Sequence, residues 1–192
     1  MQFDKIEKKE FGADWQLIFY HNAKGNVFFT RGSESLLFCN KTQQFSILGT
    51  LTNNYKINGY FEFLIEYPEI NYLIHWRQKK NPIKYDSNVG FVPLHVPYNP
   101  STFLGLALAK NCDDSTFLHG NVGGGSWFFS IGCYTAWSGD GSFPGPYLED
   151  KDKNAIGIFI VSLYVRIRRS ISCKIMRNSR YNLEIMIFLL VS

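Results

Sequence analysis

Four glycines in six residues, followed by a tryptophan and two phenylalanines, mark "HGNVGGGSWFFSIG" at His119–Gly132. A glycine run of this kind either cradles a phosphate or relaxes a turn. The P-loop needs G-x-x-x-x-G-K-[ST], with the lysine reaching phosphate and the hydroxyl holding magnesium. Gly120 and Gly125 have that spacing, but Ser126 and Trp127 stand where the lysine and hydroxyl belong. A dinucleotide fingerprint needs a helix after the glycines, and "SWFFSIGCY" has the aromatic character of a strand. The glycines are therefore read as a turn into a buried strand. A bare backbone beside His119 and Trp127 also offers room for a ligand to approach.

A second constellation is "HWRQKKNP" at His75–Pro82. Trp76 and Gln78 share one face of a strand, and Asn81 ends it before Pro82. An aromatic platform beside planar amides is suited to sugars: the ring stacks on C–H groups, while Arg77, Gln78 and Asn81 serve the hydroxyls. The plainer reading puts Trp76 in the core and has the polar groups pin a turn. Trp137, in the loop "AWSGDGSFPGP" at Ala136–Pro146, is a further stacking candidate, because loops expose their side chains and often carry function.

Catalytic alternatives fare worse. Glu62 and Glu66 lie four residues apart in an extended segment, about 13 Å at ~3.3 Å per residue. Retaining and inverting glycosidase pairs need ~5–5.5 and ~6.5–9.5 Å, so the two read as a solvated face. The four histidines and four cysteines show no metal-ligand spacing. The acidic stretches at Cys112–Asp114 and Tyr147–Asn154 do not follow the calcium-loop pattern. No G-x-S-x-G occurs. No catalytic residue and no cofactor is assigned.

These residues must be positioned by strands. "YFEFLIEY" at Tyr60–Tyr67 alternates, with Phe61, Phe63, Ile65 and Tyr67 on one face and Glu62 and Glu66 on the other. "YLIHWRQ" at Tyr72–Gln78 follows. "WQLIFY" and "NVFFT" flank "HNAKG" and predict a hairpin over Trp15–Thr30. "FSILGTL" at Phe45–Leu51 reads equally as helix or strand. "FVPLHV" at Phe91–Val96 contains Pro93 and reads as an edge strand or bulge. Phe103–Ala109, Ser126–Gly132 and Ile156–Ile167 complete the set, with Val161–Ile167 as a central strand. Eight or nine strands without an intervening amphipathic helix predict an all-β fold, an antiparallel β-sandwich or jelly roll. Aromatic residues, at 17% of the chain, favour the same class.

The expected organisation is a lead-in over 1–13, a sandwich module over 14–167 and a dispensable basic, apolar-ended tail over 168–192. The net charge of +4 comes from that tail; the first 167 residues carry as many acidic as basic side chains. A neutral body argues against a nucleic-acid domain. No stretch reaches the ~20 apolar residues of a membrane span. The charged N-terminus does not read as a secretory signal, so a cytoplasmic location with reduced thiols is the default expectation.

The order of these segments resembles an uncharacterised module found in large multidomain proteins of trichomonads, including leucine-rich surface-antigen-like ones, and of cnidarians. W-x-Q-x-x-N-P (Trp76, Gln78, Asn81, Pro82) and the tryptophan strand before P-G-P (Trp127, Pro144, Gly145, Pro146) carry the resemblance, which covers about Trp15–Ile167. It implies a compact β module used for binding, with no assigned site. The expected function is non-enzymatic recognition of a carbohydrate or another surface ligand, through Trp76, Arg77, Gln78, Asn81, His119, Trp127 and Trp137. A glycan hydrolase and a protein–protein interaction module are the alternatives.

Overall fold

The computed structural model describes residues 11–12, 14–25, 27–32, 44–84, 90–97, 103–108, 116–120, 131–134, 148–149, 155–156 and 158–168. Within them the strands are β1 (Trp15–Asn22), β2 (Gln44–Ser46), β3 (Phe61–Tyr67), β4 (Tyr72–Gln78), β5 (Val92–His95), β6 (Ala107–Leu108), β7 (Thr116–His119), β8 (Ile131–Cys133), β9 (Leu148–Glu149), β10 (Ala155–Ile156) and β11 (Ile160–Arg166). The described helical segments are short 3-10 turns, none long and apolar enough to cross a membrane. The fold is all-β, and the described strand pairings are antiparallel.

One six-stranded sheet, in the order β2-β1-β11-β3-β4-β5, dominates; β6-β7-β8 and β9-β10 form smaller sheets. Period-two alternation sets the register. Phe63 pairs with both Trp76 and Val165, and Ile65 with Ile74 and Leu163. One face of β3, β4 and β11 is thereby apolar, and it packs with Phe103, Leu106, Phe117, Leu118 and Ile131 around the smaller sheet. As expected, β11 is central and the Pro93-bearing β5 lies at an edge, with a register shift between His75 and Trp76.

Two local expectations are corrected and one left open is resolved. Trp15–Thr30 is no hairpin. The His21 ring bonds the Val27 carbonyl at 2.8 Å, and Phe29 N donates to Cys133 O at 2.9 Å. The second arm is thus drawn towards β8, and β1 pairs with β11 and β2 instead. Phe45–Leu51 is both things in turn, strand to Ser46 and a 3-10 turn over Leu48–Thr50. Among the described residues 103–108, Ala107–Leu108 are strand and 103–106 are not, because Gly105 at φ +88° turns the chain out of extended geometry; Ala109 lies outside the described residues.

Candidate functional site

Trp76 and Gln78 occupy the core face of β4. Phe63 lies 5.4 Å from the Trp76 ring and Phe103 meets it edge-on at 4.9 Å. Trp76 has no exposed surface, so its ring offers no stacking platform, and the expected role gives way to a packing one. Its Nε1–H donates to Gln78 Oε1 at 2.8 Å. The same oxygen accepts from Leu106 N at 3.0 Å. Gln78 Nε2 donates to Lys80 O at 2.8 Å and Leu106 O at 3.0 Å. All four hydrogen-bonding positions of the amide are thus filled from within the protein. Asn81 donates through Nδ2 to Leu51 O and accepts at Oδ1 from Ile83 N, both at 3.0 Å. The assignment of Gln78 to sugar hydroxyls is corrected on the same ground, since burial and internal partners claim its polar atoms; Asn81, almost fully buried, commits one donor and one acceptor to the backbone. The W-x-Q-x-x-N-P stretch fastens β4 to Leu106 and Leu51.

Arg77 points to the opposite face, where the solvated surface expected around Glu62 is also corrected. Glu62 is only 1% exposed. Its Oε1 accepts from Arg166 at 2.7 Å and pairs with His75 Nε2 at 2.9 Å; its Oε2 accepts from Arg77 Nε at 2.7 Å. Burial alone would raise this carboxyl's pKa, but the hydrogen bonds from His75, Arg166 and Arg77 outweigh it and hold it at about 2. Phe11 and Trp15 stand edge-on to the His75 ring at 5.1 and 5.4 Å. A carboxylate so firmly ionised is no proton donor at neutral pH. Glu66 accepts from Tyr164 Oη at 2.9 Å, and Glu69 binds Lys24 at 2.8 Å and the Phe159 and Ile160 amides. Among the described residues, Glu62, Glu66 and Glu69 are thus engaged in holding chain segments together.

His119 ends β7, largely buried, with Nε2 bonded to Leu108 O at 3.1 Å. The Cys133 thiol is pushed up to about 12 by burial. Trp127, Trp137 and the glycines Gly123–Gly125 lie outside the described residues. Among the described residues no three His, Cys, Asp or Glu side chains group as metal ligands.

Among the described residues the structure adds a cleft of about 540 Å³ beyond the ends of β3 and β4. Leu51 and Phe61 contribute its apolar part, and Thr52, Asn53 and Gly59 bring polar groups and bare backbone. Lys56, Lys79, Lys80 and Lys84 complete the lining, with Asn81 between them. Two turns place these lysines. Asn58 (φ +53°) and Gly59 (φ +82°) form a two-residue reversal closed by Ile57 N to Tyr60 O at 2.8 Å and Tyr60 N to Ile57 O at 3.1 Å. Both central residues have positive φ, the geometry that Asn-Gly adopts readily. The second turn, Asn81–Lys84, is held by Lys84 N to Asn81 O at 3.1 Å and by the Asn81 side chain. Sequence reasoning missed the cleft because its lysines are spread from 56 to 84. The signal present was the Asn58–Gly59 turn, which folds Lys56 back towards Lys79.

Compared with known proteins, the chain matches no family model, no curated protein and no solved structure.

Proposed function

We propose that the chain is a non-enzymatic ligand-binding module that recognises a carbohydrate or another surface ligand, and that the ligand sits in the Lys56–Lys84 cleft. The carrying observation is the cleft itself. Its volume of about 540 Å³ falls within the ~300–1,000 Å³ typical of small-molecule sites. It combines apolar floor, amide, hydroxyl and ammonium groups on rigid turns. The engagement of Glu62, Glu66 and Glu69 in the fold supports binding over hydrolysis.

The test is a glycan array probed with the full chain, followed by calorimetric titration of each hit and chromatography of the recovered glycan. The expected result is saturable binding of at least one glycan, recovered intact. Shortened glycan products would support the hydrolase instead. Absence of binding to every glycan would remove the carbohydrate assignment.

A further inference from the structure

We infer that the cleft selects an anionic saccharide, one bearing sulfate or carboxylate groups, over a neutral one; this rests on the reading of the chain as a binding module. Charge balance is the first observation. The first 167 residues are neutral as a whole, yet four lysines line this one cleft and none of its described lining residues is acidic. Arg168 adds a cation at the margin, its guanidinium donating to Lys56 O at 3.2 Å.

The second observation is that two of the four ammonium groups stand against rings. Lys56 Nζ stands 5.1 Å from the centre of the Phe61 ring and Lys79 Nζ 5.4 Å from that of Tyr60. The attraction of a cation to a ring face fixes each group where a flexible lysine would otherwise wander. The Lys79 stem also lies against Gly90, where a Cβ would come within 2.7 Å of Lys79 Cδ. Only bare backbone admits that approach. Fixing the cations before the ligand arrives lowers the ordering cost of binding.

Lysine ammoniums are compact, strongly hydrated point charges suited to oxyanions. A neutral sugar seated among them would strip their water and return no counter-charge. Thr52, Asn53 and the Gly59 backbone supply hydrogen-bonding partners that a bare inorganic anion does not need and sugar hydroxyls do. Single-stranded nucleic acid binds by stacking bases on open aromatic faces. Here Phe61 is buried, and lysine ammoniums stand over both it and Tyr60.

The experiment titrates the full chain with a heparin-derived tetrasaccharide, neutral chitotetraose, sodium sulfate and a single-stranded oligonucleotide, in low and in moderate salt. The sulfated tetrasaccharide should bind at least tenfold more tightly than the other three and weaken with salt. Lys79→Ser/Lys84→Ser should lose tenfold or more while its circular dichroism is unchanged, and Lys79→Arg/Lys84→Arg should retain most of the affinity. Equal binding of chitotetraose would overturn the charge selection and leave the binding module standing. Failure of both saccharides would count against both readings. Sulfate or the oligonucleotide binding as tightly as the tetrasaccharide would overturn the saccharide assignment, as would full affinity in the serine variant.

Discussion

Gln78 and Lys79 are chain neighbours with opposite destinations. Gln78 turns inward and spends every donor and acceptor on Trp76, Lys80 and Leu106. Lys79 turns outward, exposed, with its stem on Gly90 and its ammonium over Tyr60. The corner around Trp76 is closed chemistry, because every polar group has an internal partner. The cleft a few residues away is open chemistry, because fixed cations face a cavity. A polar residue beside an aromatic is therefore a poor guide to a binding site unless its strand parity is followed. Gln78 shares parity with Tyr72, Ile74 and Trp76, all buried, and that parity places it inside.

The contrast is broken most forcefully at Gln78. Gln78→Ala leaves the Trp76 and Leu106 N–H groups and two carbonyls without partners in the core. At ~1–3 kcal/mol for each stranded group, and with partial relaxation, the loss should be about 3–5 kcal/mol in urea unfolding. The opposite side of the comparison is Lys79→Ser/Lys84→Ser, which should stay within about 0.5 kcal/mol of wild type, as exposed substitutions do. A large loss in the lysine variant, or none in Gln78→Ala, would erase the distinction.

The outer face sharpens the comparison through pH. The folded pKa of Glu62, about 2, lies below its ordinary 4.5. Its contribution to stability is complete above about pH 4.5 and is lost as pH falls through about 2. Glu62→Gln should therefore flatten the acid limb between about pH 4.5 and 2. At neutral pH it should cost about 1–3 kcal/mol. That is less than a wholly buried ion pair, because Arg77 and Arg166 remain 41% and 35% exposed. A second window belongs to His21. Burial lowers its pKa and the Val27 carbonyl offsets this only in part, leaving it at about 4 against 6.5. Stability is also lost as pH falls from about 6.5 to 4, and that loss should persist in Glu62→Gln. Urea midpoints across pH 2–7 separate the two windows.

Alternation made β3, β4 and β11 legible, along with their shared apolar face and the edge position of β5. The β1 pairing was not legible, because the course of Val27–Thr30 depends on contacts with His21 and with the distant Cys133 carbonyl. Glu62 read as solvated because its partners lie 13, 15 and 104 residues away; only the register of β3 with β4 and β11 gathers them. The candidate site divides likewise. The residues of W-x-Q-x-x-N-P were visible as a unit, yet their role follows from Leu51 and Leu106, 30 and 28 residues distant. The cleft needed two turns to converge before its charges could be seen together.

The central claim is that the ligand faces the lysine cleft and not the Trp76 corner. Backbone amide shifts of the full, isotope-labelled chain, recorded as the heparin-derived tetrasaccharide is added, test it most directly. The largest shifts should fall on Thr52–Gly59 and Lys79–Lys84, with the Trp76 indole N–H unmoved. Shifts concentrated around Trp127 and Trp137, or a displaced Trp76 indole signal with a quiet cleft, would contradict it.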